Sequence, residues 1–122
     1  MKPPIFEIEI EGKIPSVNRY YRHTKQGHHY ISKEGRDFKE KLSWLAKAKK
    51  VQPTSEPVEL HLYWYCKKAC NGGDLDNRLK VVLDALEGII YKNDKQVVRI
   101  SAEKIMGAKR DFAKIAVSKY AY

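Results

Sequence analysis

The sequence predicts an α+β fold of two layers, a small mixed β-sheet with helices on one face, in the element order β-α-β-α-β-β. Apolar side chains recur at every second residue in several short stretches and at helical spacing in two longer ones. The length of 122 residues matches one domain with one modest core. We therefore expect residues 1–122 to form a single domain whose helices pack against the sheet.

The first half of the chain predicts one strand and one helix, joined by a long polar connection. Ile5–Glu11 alternates apolar and acidic residues, as a half-buried strand does. Gly12–Gln26 is polar and rich in turn formers, which predicts a loop. Ser32 is a good N-cap, and the apolar spacing after it predicts a helix to about Lys50.

The second half predicts three strands and a second helix. Val58–Tyr65 alternates again, and Asp76–Ile90 has the apolar spacing of a helix. The core stripe of this helix is expected to contain Leu79, Val82, Leu83, Leu86 and Ile90. Val97–Ile105 and Phe112–Val117 predict two more strands. Because only the turn Gly107–Arg110 separates these strands, we expect them to pair with each other as a hairpin.

The charge balance points to a polyanionic partner. Lys and Arg number 24 against 15 Asp and Glu, a net charge of +9, and the pI is about 9.5. Such an excess favours phosphate contacts and counterion release. No apolar run approaches the roughly 18 residues of a membrane span, and the N-terminus lacks the apolar core of a secretion signal. We expect a cytoplasmic protein with no membrane partner and no organic cofactor.

Cysteine spacing gives little support for a zinc or redox site. Cys66 and Cys70 are separated by three residues, whereas the common zinc and redox motifs have two. Strand alternation would turn the nearby His61 to the same face as Tyr63 and Tyr65. Free thiols are therefore favoured over a structural zinc site.

The segment Gly73–Lys80 is the most informative stretch for chemistry. Asp74 and Asp76 stand two residues apart where a glycine turn enters the second helix, and Lys80 follows one helical turn later. Asp94 lies beyond that helix, just before the third strand. Convergent carboxylates are hard oxygen ligands of the kind that Mg²⁺ takes together with water and phosphate oxygens. These residues predict a Mg²⁺ site that hydrolyses a phosphodiester with help from the lysine.

A purely structural interpretation of the same acids explains only part of the pattern. Asp76–Lys80 and Lys80–Asp84 are i,i+4 pairs worth about 0.3–0.5 kcal/mol each, and Asp76 or Asn77 is a possible N-cap. The reciprocal capping box is absent, because no Glu or Gln follows at the third position. A calcium loop that starts at Asp74 fails as well, because its sixth position holds Leu79 in place of glycine.

Basic and polar residues on both sides of the acids are candidates for DNA contacts. Asn18, Arg19 and Arg22 lie among tyrosines in the first connection, and basic side chains beside aromatic ones suit phosphate contact and stacking. A solvated loop is the alternative there. The other candidates are Lys67, Lys68 and Arg78, close to Asp74.

Three segments together resemble the RusA-type Holliday junction resolvases. They are Pro15–His23, then Asp74–Lys80 running into Leu83–Leu86, and finally Asn93–Val97. Their order and spacing span nearly the whole chain. The resemblance implies a small homodimeric endonuclease that uses Mg²⁺ or Mn²⁺ to cut four-way DNA junctions in recombination and repair, in a family of typically phage or prophage origin.

Matched position by position, the resemblance makes Asp74, Asp76 and Asp94 the catalytic, metal-binding carboxylates and Lys80 the essential basic residue. Asp84 matches an acid of the helix and is expected to have a supporting role. Two departures weaken the expected binding. Asn93 replaces an acid and offers only a carbonyl oxygen, and Lys67-Lys68 replaces a longer arginine run, losing bidentate phosphate contacts.

A homodimer suits the expected substrate, because a four-way junction has approximate two-fold symmetry and needs two matched cuts. Two other functions stay open from the residues alone. One is a nucleic-acid-binding module without catalysis, in which the acids are helix caps and ion pairs. The other is a metal-dependent nuclease that acts on flaps, single strands or RNA.

Overall fold

A computed structural model of the chain describes residues 4–23, 27, 29–67 and 73–120, and it confirms the predicted two-layer α+β architecture. A mixed four-stranded sheet carries the helices on one face. The strands of this sheet are β1 (Phe6–Glu11), β4 (Val58–Cys66), β5 (Val97–Met106) and β6 (Phe112–Lys119). The helices are α1 (Val17–Tyr20), α2 (Lys33–Ala48) and α3 (Leu75–Leu86), and a separate hairpin contains β2 (Tyr21–His23) and β3 (His29–Ile31).

The sheet has the strand order β1-β6-β4-β5. β6 pairs antiparallel with both β1 and β4, so Ile115 lies between Ile8 and Leu62. β4 and β5 run parallel, with Leu60 opposite Ile100 and Cys66 opposite Met106. β4, α3 and β5 therefore form a βαβ unit, whose two parallel strands are joined by a helix across one face of the sheet.

The predicted hairpin between the last two strands is wrong, because β4 lies between them. The connection from β5 to β6 crosses the end of β4, where the Ala108 amide donates to the Cys66 carbonyl (2.9 Å). Asp111 in the same connection accepts from the Lys67 amide (2.9 Å). A short glycine-containing connection thus joins two strands that are not neighbours.

The core lies between the sheet and the two long helices. The predicted apolar face of β4 is confirmed, since Val58, Leu60, Leu62 and Trp64 are all buried. α3 buries a slightly different stripe from the predicted one: Val81, Val82, Ala85 and Leu86. It ends at Leu86, and Ile90 reaches the core from the loop that follows. None of the helices in the described residues is both long and apolar enough to cross a membrane.

The connection predicted as a loop over Gly12–Gln26 contains structure. Ser16 caps the short helix α1, and the chain then enters the β2–β3 hairpin. Ser32 fastens this region to α2, because its buried hydroxyl accepts from the Gly35 amide (3.0 Å) and lies within hydrogen-bonding distance of the Arg19 and Tyr20 carbonyls. The predicted N-cap at Ser32 is confirmed, and the helix ends at Ala48.

Gly35→Ala is expected to destabilise the protein, although alanine favours helices by about 1 kcal/mol over glycine. A Cβ at this position would lie 2.8 Å from the Ile31 Cγ2 atom and closer still to the Tyr20 carbonyl oxygen. Overpacking of this kind costs about 1–3 kcal/mol, so we expect a net loss of roughly 1 kcal/mol in the free energy of unfolding, measured in urea. Glu40→Ala, on the exposed side of α2, is the control. Equal or greater stability of Gly35→Ala would contradict the close contact.

Candidate metal and DNA site

Asp74 and Asp76 mark the N-terminal end of α3. The helix starts at Leu75, earlier than predicted, and Asp74 occupies the N-cap position. The Asp74 side chain makes no capping hydrogen bond, whereas one Asp76 oxygen accepts from the Asn77 amide (2.9 Å). Both side chains are exposed. The N-cap predicted at Asp76 or Asn77 is therefore wrong, because Asp74 holds that position, and its carboxylate has no capping role. Both acids present oxygens at a helix end that favours negative charge and anions.

The N-terminal end of α3 is held in place by its neighbours. The Asn77 side-chain oxygen accepts from the Val17 amide of α1 (2.7 Å). The guanidinium group of Arg78 lies 5.3 Å from the centre of the Trp64 ring. Lys104 of β5 donates to the Gly73 carbonyl (2.7 Å) and also lies over that ring. The two carboxylates therefore project from a frame built by α1, β4 and β5.

Lys80 is oriented by an acid one turn further along α3. Its ammonium group lies 3.3 Å from the Asp84 Oδ2 atom, and the Tyr21 hydroxyl donates to the same oxygen (2.6 Å). Burial and the Asp84 carboxylate raise the pKa of Tyr21 above its ordinary value, so the hydroxyl keeps its proton at neutral pH. Asp84 thus forms an ion pair with the exposed lysine side chain.

Asp94 lies at the opposite end of the domain from Asp74 and Asp76. β4 ends beside the start of α3, the helix returns along the sheet, and β5 then begins beside the start of β4. Asp94 precedes β5, and its amide donates to Glu87 just after the C-terminal end of α3 (2.8 Å). Twelve helical residues span about 18 Å. A single copy of the chain therefore holds the three acids in two separate groups.

The surroundings of Asp94 fix its position. Asn93 forms a capping box with Gln96, whose side-chain amide donates to the Thr54 and Glu56 carbonyls. The Asn93 side-chain oxygen accepts from the Lys95 amide (2.9 Å), so the carbonyl considered as a metal ligand already has a backbone partner. Within the described ranges, no group of three His, Cys, Asp or Glu side chains is arranged to hold a metal ion.

Glu87, an acid that the sequence interpretation did not assign to the site, contacts Asp94. Glu87 binds the Asp94 amide, and Asp84, Glu87 and Asp94 all act to raise the pKa of Tyr91, although burial is the largest cause. Lys39 of α2 donates to the Ala85 and Glu87 carbonyls (3.1 and 2.9 Å). The helical spacing of Asp84 and Glu87 predicted that they share one side of α3, but the contact between Glu87 and the Asp94 amide depends on how the chain turns after Leu86.

The predicted DNA-binding residues fall into two groups. Asn18 and Arg19 are exposed on α1, and Arg22 is exposed on β2. Lys67 is exposed at the end of β4, whereas Lys68 lies outside the described residues. Arg78 is only partly exposed, because it packs on Trp64.

A basic cleft of about 380 Å³ joins α1 to the start of α3. Its lining includes three cationic side chains, Lys13, Arg19 and Arg78, together with Glu34, which lies 3.8 Å from Arg19. Lys13 was not among the predicted contacts, and nothing but its place before Pro15 distinguishes it in the sequence. Phosphates bound in this cleft would lie near Asp74, because the Asp74 carboxylate is close enough to Arg78 in the cleft lining to act on its pKa.

The alternative zinc site has no geometric support among the described residues. Cys66 is buried on the helix-facing side of β4, and burial raises the pKa of its thiol. His61 points to the other face of the sheet, as predicted, and lies 3.6 Å from Glu59. Cys70 lies outside the described residues.

Comparison with known proteins identifies the family. Residues 11–118 match the family model described as endodeoxyribonuclease RusA. The chain is also 30% identical over 89 residues to a crossover junction endodeoxyribonuclease RusA from Escherichia coli, and the match covers 69% of each protein. The family match includes Asp74, Asp76, Lys80 and Asp94 and spans most of the chain. The protein therefore belongs to the RusA family of endodeoxyribonucleases.

Proposed function

We propose that the protein is a divalent-metal-dependent endodeoxyribonuclease that resolves four-way DNA junctions by paired symmetric nicks, in recombination and repair. Besides family membership, one observation carries the proposal. Asp74 and Asp76 are exposed at the start of α3, whose Arg78 lines a basic cleft and interacts with Asp74, and the Asp74 carboxylate has no capping hydrogen bond. A binding module would gain little from two acids at this place, because they would repel the phosphate backbone.

Asp74 and Asp76 are suitable ligands for Mg²⁺ or Mn²⁺. Both are exposed carboxylates, which gives the hard oxygen donors that these ions prefer and leaves space for water and a phosphate oxygen. When bound, a divalent cation supplies positive charge to the scissile phosphate. Asn77, Arg78 and Lys104 fix the backbone from which the two carboxylates extend.

Lys80 is proposed to act on the reacting phosphate from the next turn of α3. Its position four residues after Asp76 places both side chains along one side of the helix. Asp84 and Tyr21 restrict the lysine side chain, so less freedom is lost when its ammonium group meets the developing charge. Lys13, Arg19 and Arg78 line the cleft where neighbouring phosphates would bind.

The position of Asp94 favours a homodimer with composite sites. One chain separates Asp94 from Asp74 and Asp76 by the length of α3, whereas a metal site needs convergent ligands. A second copy in a two-fold dimer would present its own Asp94 to the first copy's pair, and the reverse contact would form the second site. Two such sites would also supply the two matched cuts.

Cleavage of a labelled four-way junction tests the proposal. We expect paired, symmetric nicks in Mg²⁺ or Mn²⁺ and none in EDTA, because the carboxylates alone cannot neutralise the scissile phosphate. Flaps, linear duplexes, single strands and RNA are the matched comparison substrates. Tight junction binding without products in either metal would favour a non-catalytic binding module. Cutting that prefers one of the comparison substrates would keep the nuclease and overturn the junction specificity.

A further inference from the structure

Trp44 of α2 is the most exposed large apolar side chain in the described part of the chain, at 67% of its full accessibility. The buried residues Phe38, Leu42 and Ala46 face the core, so Trp44, two residues from Leu42, points away from it. It lies on the outward side of the helix layer, which also carries the exposed Lys80. Tryptophan is largely buried in most proteins and is enriched at binding surfaces.

Four exposed lysines accompany Trp44 at this end of α2. Lys41 and Lys47 lie three residues before and after it and therefore share its side, and two more lysines follow where the helix ends. Residues 41–55 contain no Asp or Glu, and the nearest acid along the helix is Glu40, one turn earlier. None of the four ammonium groups is ion-paired with an acid of the described residues. We name this set the α2 end patch: Lys41, Trp44, Lys47, Lys49 and Lys50.

Lys50 has a left-handed backbone conformation, with φ at 58°. Its amide donates to the Lys47 carbonyl (3.0 Å), and the Val51 amide donates to the Ala46 carbonyl (2.9 Å). Glycine is the usual residue in such a closing turn, because a Cβ is unfavourable there. The attraction of cations to the end of a helix explains Lys47 and Lys49. It explains neither a lysine in the strained position nor an indole left in water.

We propose that the α2 end patch binds an arm of the four-way junction, with its lysines on phosphates and Trp44 packed against the sugars and bases of the same arm. The proposal rests on the proposed function and deepens it, because it assigns the surface that holds the DNA beyond the reacting phosphate. Lysines without acids among them suit a polyanion, since each phosphate they neutralise releases counterions. An aromatic ring among the lysines adds a flat apolar contact of the kind that proteins use on nucleic acids.

The α2 end patch lies within reach of an arm bound at the candidate site. α2 and α3 both start next to α1, and Lys39 donates to the Ala85 and Glu87 carbonyls. Trp44 comes five residues after Lys39, and Lys80 comes five residues before Ala85. About 15 Å along the helices therefore separates Trp44 from Lys80. Duplex DNA covers this distance in about four base pairs, so an arm whose phosphate meets Lys80 can continue over the patch.

Acrylamide quenching tests whether DNA covers Trp44, and it needs no cleavage. The chain has two tryptophans, of which Trp64 is buried, so acrylamide acts mainly on Trp44. In EDTA, a saturating four-way junction should remove most of the quenching. Trp44→Phe should abolish this change, because only the buried indole is left. Unchanged quenching of the parent protein at saturation would overturn the proposal.

Junction affinities in EDTA test the energetic contribution of the α2 end patch. Trp44→Ala should weaken binding about tenfold or more, as truncation of a central tryptophan does. Lys47→Gln/Lys49→Gln should lower the slope of log K against log salt by about 2, because each lost phosphate contact removes about 0.9. Lys114→Gln, exposed on the other face of the sheet, is the control and should bind like the parent. Parent-like binding by both patch variants would overturn the proposal, and protection of Trp44 by anionic lipid vesicles would then assign the patch to a membrane surface.

Lys50→Gly separates binding from stability. Glycine relieves the left-handed backbone, so the variant should unfold at a higher urea concentration than the parent. It should nevertheless bind the junction several-fold more weakly, because one phosphate contact is lost. A purely structural lysine cannot give this combination, and parent-like binding would overturn the proposal. Cleavage by the parent together with undiminished binding by the patch variants would reject the patch and keep the nuclease. Weakened binding by the variants without any cleavage by the parent would do the reverse.

Discussion

Asp76→Asn should abolish junction cleavage, by about a thousandfold or more, while junction binding stays within a few fold of the parent protein. Mutations that remove a single stabilising group from a reacting site cost about 10²–10³ in rate, and loss of a charged metal ligand belongs at the upper end of this range or beyond. The substitution keeps the side-chain shape, and its amide oxygen can still accept from the Asn77 amide. The fold should therefore be unchanged.

The measurement is the single-turnover cleavage rate on a labelled four-way junction in Mg²⁺, alongside gel-shift affinity in EDTA. Asp37→Asn is the matched control, because it makes the same charge change at an exposed position on α2. It should cut like the parent. Undiminished cutting by Asp76→Asn would show that the Asp76 carboxylate is not part of the catalytic site.

Two inactive variants should restore cleavage when combined in one dimer. Asp76→Asn and Asp94→Asn are each expected to be inactive alone, since each destroys both composite sites. In a heterodimer of the two, one site receives both substitutions and the other receives neither. That intact site should make one nick per junction, at about half the parent rate. Cleavage should then rise from background to about half the parent value.

Co-expression with two different affinity tags isolates the heterodimer for this measurement. The control pair is Asp74→Asn with Asp76→Asn, which affects the same end of α3 in both copies and should not restore activity. If the Asp76→Asn and Asp94→Asn pair is as inactive as the control pair, each site is built within one chain. Asp94 would then act from a distance or have a structural role.

The sequence predicted the elements whose pattern is local. Alternation identified β1 and β4 to within a residue at each end, and the hydroxyl of Ser32 placed the start of α2. These features are local. Alternation follows from the pleat of a strand, and an N-cap depends on one side chain that accepts from one nearby amide, so a short stretch of sequence is enough to predict them. α1 and the β2–β3 hairpin were missed, because their apolar contacts come from α2 and α3.

The relation between distant segments was not predictable in the same way. A short connection with glycine normally indicates a hairpin, yet β4 occupies the place between β5 and β6. The βαβ pattern of β4, α3 and β5 requires β5 to run parallel beside β4, which sends β6 to the other side. The same geometry moves Asp94 away from Asp74. The catalytic roles of Asp74, Asp76, Lys80 and Asp94 stay predictions until the variants are measured.

The strand order has a consequence for how the protein is made. β6 is the last strand in the chain, yet it lies between β1 and β4, with Phe6 paired to Val117. The first strand therefore has no neighbour in the sheet until residues near position 117 have left the ribosome. Such long-range pairing slows folding and leaves apolar strands uncovered during synthesis. β1 can therefore join the sheet only after translation has passed β6, whereas β4 can pair earlier with β5. Truncation before Phe112 would leave β1 and β4 without the strand that lies between them.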